Sequence, residues 1–538
     1  MASTTSFQGE FDYIVVGSGS AGGVVANRLA KSGQYRVLLL EAGPSDFNPL
    51  IHMPGGTAEV LKSKRTNWTL DCEPQVHLNN RCLTQHRGKM LGGSSNINGM
   101  VAIRGNAVDY DHWASLGNAG WGYKDVLKNF KSIETWCGGV ENEYHGSQGE
   151  CHINLTDFDN ELYDRFIEAG QELGMPLNKD FNGATQEGVG RYHANVHNGQ
   201  RDGTSKAFIT PLKGKPNFTI ETGILAEKVL FEGSRAIGIQ CSRRKKMLNY
   251  KANKEIVICG GAFHSPHILL VSGIGNEEKL KPLGINVVKH LPGVGENLQD
   301  HISLLMNYAC SKPITMNGPA NSLFSQMKIA ADYFINKKGP ASHNMIEAGA
   351  FWYSKEGLEA PDIQLHLIPI LMYNLIDKPP KQDGVSVRAC NLTPYSRGVV
   401  DLYSADPKQQ PRIDFRFLND ERDIPILLET FRLVERMMQA NAWGGMIGEE
   451  TKGGSQCKTD EEIIAWIREY IETDYHPVGT CKMGKDDMAV VDERLRVHGI
   501  EGLRVADASI MPTIVRGNTN VPCMMIGDKC AEMMLEDA

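Results

Sequence analysis

What this sequence lacks narrows it first. It has no surplus of basic charge: 56 Lys and Arg against 64 Asp and Glu leave a formal net charge of −8, which argues against nucleic acid as a partner. No run of about 18 apolar residues occurs, so no spanning helix is expected, although peripheral attachment to a membrane surface is compatible with that. The stretch MASTTSFQGE has neither the basic nor the apolar region of a secretory signal, and the expected compartment is the cytoplasm. The twelve cysteines form no CxxC pair and no cluster with histidine, which fits buried, reduced thiols and gives no metal site. What is there is a globular composition, 41% hydrophobic and 22% charged over 538 residues, too long for one core.

The chain is organised around residues 12–41. Residues 13–16 are an apolar, β-branched run of the kind buried in a parallel strand. They lead into Gly17-Ser18-Gly19-Ser20-Ala21-Gly22, a helical pattern, a second apolar run and then Glu41, nineteen residues after Gly22. This is the spacing of a dinucleotide fingerprint. Gly17 permits the tight turn, Gly19 lets the backbone approach a pyrophosphate, and Gly22 permits close helix–strand packing. The helix N-terminus offers free N–H groups to phosphate, and Glu41 can accept from a ribose hydroxyl.

Further along, residues 43–64 read as a long irregular connection, a length that is usually functional. The block 87–99 places Gly92-Gly93-Ser94-Ser95 where a helix could start, suiting a second close approach of backbone to ligand. A polar, Gly-rich stretch at 138–150 marks a boundary, and 217–260 reads as an antiparallel meander followed by a buried strand returning to the first sheet. From about 310 to 454 strand-like and helical pieces alternate in a second, mixed domain. No second G-x-G-x-x-G appears, so a nicotinamide domain beside the first is not expected.

The fingerprint, the block 88–98, the block 261–275, the run Gly293-Val294-Gly295-Glu296-Asn297-Leu298-Gln299-Asp300-His301, and His476-Pro477 with Asn520 together resemble the glucose–methanol–choline (GMC) flavoprotein oxidoreductases over essentially the whole chain. Within that family the pattern is most similar to bacterial alcohol dehydrogenases of the L-sorbose, alkanol, polyethylene glycol and choline types. The resemblance implies an α/β fold, α+β overall. Residues 1–150, 199–309 and 463–538 would form a Rossmann-like FAD domain, and 151–198 with 310–462 a substrate domain. It implies FAD held at its ADP half by Gly17, Gly19, Ser20, Ala21, Gly22, Glu41 and Ala42, with the Val229 backbone at the adenine. Gly93, Ser94, Asn98, Gly99 and Val101 would lie along the flavin, and Asp507, Ala508 and Thr519 would line it. Some members bond FAD covalently through a histidine before the asparagine; here that position is Ile97, so non-covalent binding is expected.

The resemblance also implies oxidation of a primary alcohol, sugar or polyol to the aldehyde or ketone, with electrons passed to a quinone-type acceptor. An alcohol is a far weaker acid than imidazolium, so a base must take the proton as the hydride leaves. His476 is the candidate base, and Pro477 after it favours extended backbone. Asn520 is the candidate partner, able to donate to the developing alkoxide but not to take a proton. Glu347 would either bind a substrate cation or pair with an arginine. Gln364 and His366, candidate substrate-side groups, alternate along a strand pattern and so share a face, though the pattern does not say whether that face is the pocket. The alternatives are an oxidase of the same fold, which would release hydrogen peroxide from O₂, and an FAD-containing hydroxynitrile lyase without net redox change.

Overall fold

A computed structural model describes residues 6–156 and 158–538. The strand β1 (Gly9–Val16), the helix α1 (Ser20–Lys31) and the strand β2 (Val37–Glu41) form the unit expected from the fingerprint. β2 is parallel to β1, with Tyr13 opposite Val37 and Val16 opposite Leu40. Phe218–Thr222 adds beside β2, Lys246–Ile258 beside β1, and Leu503–Val505 beyond that, all parallel. Parallel strands covered on both faces need apolar residues at consecutive positions, which is why β2 is buried throughout.

The long strand Lys246–Ile258 has two roles. Its first half closes the antiparallel meander of Leu225–Glu232 and Arg235–Arg243, while its second half lies in the parallel sheet. The meander's last strand and the returning strand are therefore one element.

The second sheet is antiparallel, in the order Ile447–Glu450, Ile302–Cys310, Gly384–Asn391, Ile363–Ile368, Ala348–Trp352 and Gly188–Arg191. The chain first enters this sheet at Gly188 and returns to it at Ile302. The helices Glu161–Glu172, Asp423–Met438 and Asp460–Tyr470 contribute Phe166, Phe431 and Ile467 to one core with Leu304, Leu365 and Val387. Strand alternation then sends Gln364, His366 and Arg388 to the opposite face, towards the nucleotide domain. Two local readings differ from expectation. Residues 43–64 carry the short helices Pro49–His52 and Thr57–Leu61, and the Gly-Gly-Ser-Ser block forms a single 3₁₀ turn, Gly93–Asn96, rather than the start of an α-helix. No helix among the described residues is long and apolar enough to cross a membrane.

Candidate active site

A cavity of about 570 Å³ runs between the two layers. At one end lies the β1–α1 turn. Gly17 sits at φ +99°, and a Cβ there would fall 2.4 Å from the Cys259 carbonyl oxygen. A Cβ on Gly22 would fall 2.0 Å from the Gly17 carbonyl oxygen, so both glycines are required by packing. Gly19 is different: nothing lies within 4 Å of its missing side chain, because that side is the cavity. No side chain caps α1, which leaves its first N–H groups for a ligand. Glu41 is fully buried and accepts from Ser18 Oγ at 2.6 Å and from the Gly43 N–H at 2.8 Å. Burial pushes its pKa up against these donors.

Two more segments meet the same turn. Gly93, at φ +52°, would place a Cβ 2.8 Å from the Gly19 Cα, so two glycine turns face each other across the cavity wall. Asp507 accepts from the Gly261 N–H at 2.8 Å, Ser265 Oγ at 2.6 Å and the Ser509 N–H at 2.8 Å, fixing the start of the helix Gly261–Val271. Gly17, Gly19, Ser20, Ala21, Glu41, Ala42, Gly93, Ser94, Asn98, Gly99, Val101, Asp507, Ala508 and Thr519 all line the cavity, as does Ile97. Gly22 lies behind it. Val229 lies off its wall and donates its N–H to Ser272 Oγ at 2.9 Å; Leu225 and Ala226, earlier in the same strand, line the cavity instead.

The other end holds a histidine network. His476 faces the cavity, and its backbone N–H donates to Asp300 at 2.8 Å. Its Nδ1 lies 3.2 Å from Asp474 Oδ2 and 3.0 Å from His301 Nδ1, while its Nε2 faces the amide nitrogen of Asn518 at 3.3 Å. An anion at Nδ1 fixes the proton there and leaves the Nε2 lone pair towards the cavity. Burial lowers the His476 pKa; Asp474 opposes this, and Arg87 and Arg388 add to it. Asp474 is itself gripped by Arg388 at 3.0 Å. Burial alone would raise its pKa, but His476 and Arg388 hold it at about 2. Ligand atoms of His301, Asp474 and His476 lie within 4.8 Å of one another, but the carboxylate is already engaged by a guanidinium, so the group reads as a proton network.

The amide that meets His476 is therefore that of Asn518, not of Asn520. Asn520 is the first residue of the helix Asn520–Glu536, and that direction turns its Oδ1 to accept from Ser20 Oγ at 2.7 Å. Its buried amide nitrogen has no partner among the described residues and borders the cavity. Gln364 lies outside the cavity wall and donates to Asn518 Oδ1 at 3.1 Å, orienting that amide. His366 lines the cavity near Asn518, both ring nitrogens lacking a well-formed hydrogen bond among the described residues, and burial lowers its pKa to about 4. Glu347 lies outside the cavity, where it meets His343 at 2.9 Å, the Phe158 N–H at 3.1 Å and Arg191 at 3.6 Å. Sequence reasoning missed Asn518, Asp474, His301 and Arg388. The only available signals were the spacing of Asp474 two residues before His476 and the histidine in the 293–301 run.

A nucleotide cradle that ends at a buried, oriented imidazole defines a dinucleotide-dependent oxidoreductase. The N-terminal and C-terminal family models described as GMC oxidoreductase match residues 11–303 and 394–527. The chain belongs to the GMC oxidoreductase family. It is 40% identical over 528 residues to an oxygen-dependent choline dehydrogenase of Brucella anthropi, covering 98% of this chain and 96% of that one. It is 41% identical over 532 residues to the enzyme of that name from Escherichia coli O139:H28, covering 98% and 95%. Among solved structures it is similar to pyridoxine 4-oxidase from Mesorbium loti, with TM-score 0.89, 28% identity and coverage of 98% and 99%. It is also similar to a variant of Aspergillus oryzae RIB40 formate oxidase studied for its FAD modification, with TM-score 0.92, 25% identity and coverage of 99% of each chain. Like its family, the chain is an FAD-dependent oxidoreductase acting on CH–OH groups. The cradle fits that cofactor: Gly19 opens onto the cavity, and the Asn520 amide and His366 ring present polar atoms along it that lack a well-formed partner among the described residues.

Proposed function

We infer that the chain oxidises a neutral alcohol to its carbonyl product, with His476 Nε2 as the base. Gly17, Gly19, Ser20, Ala21, Glu41 and Ala42 would hold the ADP half of FAD, with Gly22 letting α1 pack close behind them. Gly93, Ser94, Asn98, Gly99, Val101, Asp507, Ala508 and Thr519 hold the remainder, and Ile97 offers no nucleophile for a covalent link. FAD held there would supply the hydride acceptor. The Asn518 amide, aimed by Gln364, donates to the substrate oxygen as negative charge develops there. Asp474 holds the Nδ1 proton of His476 and stabilises the imidazolium that forms. The observation that carries this reading is the orientation of His476, with Nδ1 on a carboxylate and Nε2 on the cavity side.

Two features favour a neutral substrate over a quaternary ammonium. Glu347 is tied to His343 and Arg191 away from the cavity, and Asp474 is engaged by Arg388, so neither of these carboxylates is free to meet a cation. The names of the curated relatives support choline instead, and also O₂ as the acceptor in place of a quinone. Anaerobic mixing with a primary alkanol, a sugar, a polyol and choline separates the substrates by which one bleaches the flavin absorbance. Reoxidation in air with stoichiometric peroxide would establish the oxidase, and its absence a dehydrogenase. His476→Ala should keep its flavin and reduce it about 10²- to 10⁴-fold more slowly; an undiminished rate refutes the base.

A further inference from the structure

The helix Leu323–Asn336 is mounted on the protein back to front. Its only buried side chain is Tyr333, whose hydroxyl donates to the His52 carbonyl at 3.3 Å. Leu323, Phe324, Met327, Phe334 and Ile335 are exposed, from 48% for Phe334 to 79% for Phe324. Steps of three and four residues place these five, with Ala331, on one continuous face. They are five of the seventeen large apolar side chains exposed among the described residues, gathered on one helix, so scatter does not account for them.

The rim of this face is basic in an otherwise acidic chain. Lys328 borders the apolar stripe, and Lys338 follows the end of the helix. At its start, Asn321 donates to the Pro379 and Pro380 carbonyls at 3.1 and 3.0 Å, which brings exposed Lys378 and Lys381 alongside. None of these four lysines is in an ion pair among the described residues. Lys328, Lys337, Lys338, Lys378 and Lys381 outnumber the carboxylates of the same two segments, Asp332, Asp377 and Asp383, of which Asp377 accepts from Asn374 at 2.5 Å and Asp383 from the Thr315 hydroxyl. The same 370–383 segment contributes Ile370, Met372 and Leu375 to the cavity wall, so the helix flanks the cavity's rim.

We propose that this helix docks the protein on an anionic phospholipid bilayer, its apolar stripe in the headgroup–acyl boundary and its lysines on the lipid phosphates. An apolar face with a cationic border is the pattern of an interfacial helix. The same border disfavours a second copy, because a two-fold contact through this face would set like-charged lysines together. The proposal does not rest on the reaction assigned above.

The test sediments the FAD-loaded full chain with phosphatidylcholine vesicles, with and without phosphatidylglycerol. The protein should pellet with the anionic vesicles and be released by salt. Phe324→Asp with Ile335→Asp should weaken this by at least about tenfold while leaving the flavin absorbance unchanged. Lys328→Glu with Lys338→Glu should weaken it on anionic vesicles too. Wild-type protein left in the supernatant overturns the proposal, as does undiminished pelleting of the double aspartate variant. A dimer in sedimentation velocity that this variant converts to monomer also overturns it, since the face would then join two copies. Vesicle binding needs no turnover, so its failure leaves the alcohol-oxidation reading standing, and a failed flavin reduction leaves the docking result standing.

Discussion

At the scale of single residues, the proposed base, His476, is defined by what surrounds its two nitrogens. Asp474 raises the proton affinity of His476 while burial and two guanidinium groups lower it. The net shift is downward, so the acidic limb of flavin reduction should titrate below the ordinary 6.5, the rate falling as pH drops through it. Asp474→Asn removes the one favourable partner. The limb should then move to still lower pH, and the plateau should fall roughly ten- to hundredfold, read by stopped-flow reduction across pH; an unmoved limb would dismiss the coupling. The two asparagines separate by readout. Asn518→Ala should slow reduction about ten- to hundredfold with full flavin content, whereas Asn520→Ala should instead loosen FAD, seen as lower flavin occupancy. The sequence could not make this distinction. Asn518 and Asn520 lie two apart in one turn, and only the start of the helix at Asn520 decides which amide swings towards Ser20.

At the scale of elements, the fingerprint was legible because each glycine answers to one local constraint. Gly22→Ala would press a methyl group onto the Gly17 carbonyl and should destabilise the fold by about 1–3 kcal/mol. Gly19→Ala has room in the chain and should fold normally yet fail to retain FAD. Thermal melting paired with flavin absorbance distinguishes the two, and equal melting losses would contradict this division of roles. The family resemblance singled out His476, and the structure places it on the cavity wall. The strand register was not legible. Val229 and Ala226 occupy the same apolar strand, and which one borders the cavity depends on a register shift between Ala226 and Lys228. Nor was the Gly93–Asn96 turn, since Gly-Gly-Ser-Ser suits a helix start as well as a 3₁₀ turn, and contact with Gly19 selects the latter.

At the scale of the whole molecule, the interface between the two layers is rich in uncharged imidazole. Burial lowers the pKa of His264 and His301 to about 3, and of His193, His267 and His366 to about 4. Each takes up a proton on unfolding below pH 6.5 that the folded chain refuses, so stability is lost as pH falls from 6.5 towards 4. The loss reaches about 1.4 kcal/mol per pH unit for each group. Asp300, raised to about 7 by burial, opposes this, as do Glu41, Asp109 and Asp507, raised in the same direction, so the five histidines are partly offset. The melting temperature should therefore drop between pH 6.5 and 4.5, and a flat profile across that window would contradict the buried neutral state. Composition alone could not show this, because the sixteen histidines are scattered in sequence and gather only on folding.

The parallel sheet has a consequence for how the protein comes to exist. β1 is among the first strands to leave the ribosome, but the strand that flanks it is itself completed by Leu503–Val505, and the helix that packs on α1 starts at Asn520. The outer edge of Lys246–Ile258 and the face of α1 covered by that helix therefore stay bare until synthesis has passed residue 500. Cofactor capture must be late, and a chain stalled before that point would offer chaperones, not FAD, its first binding surface.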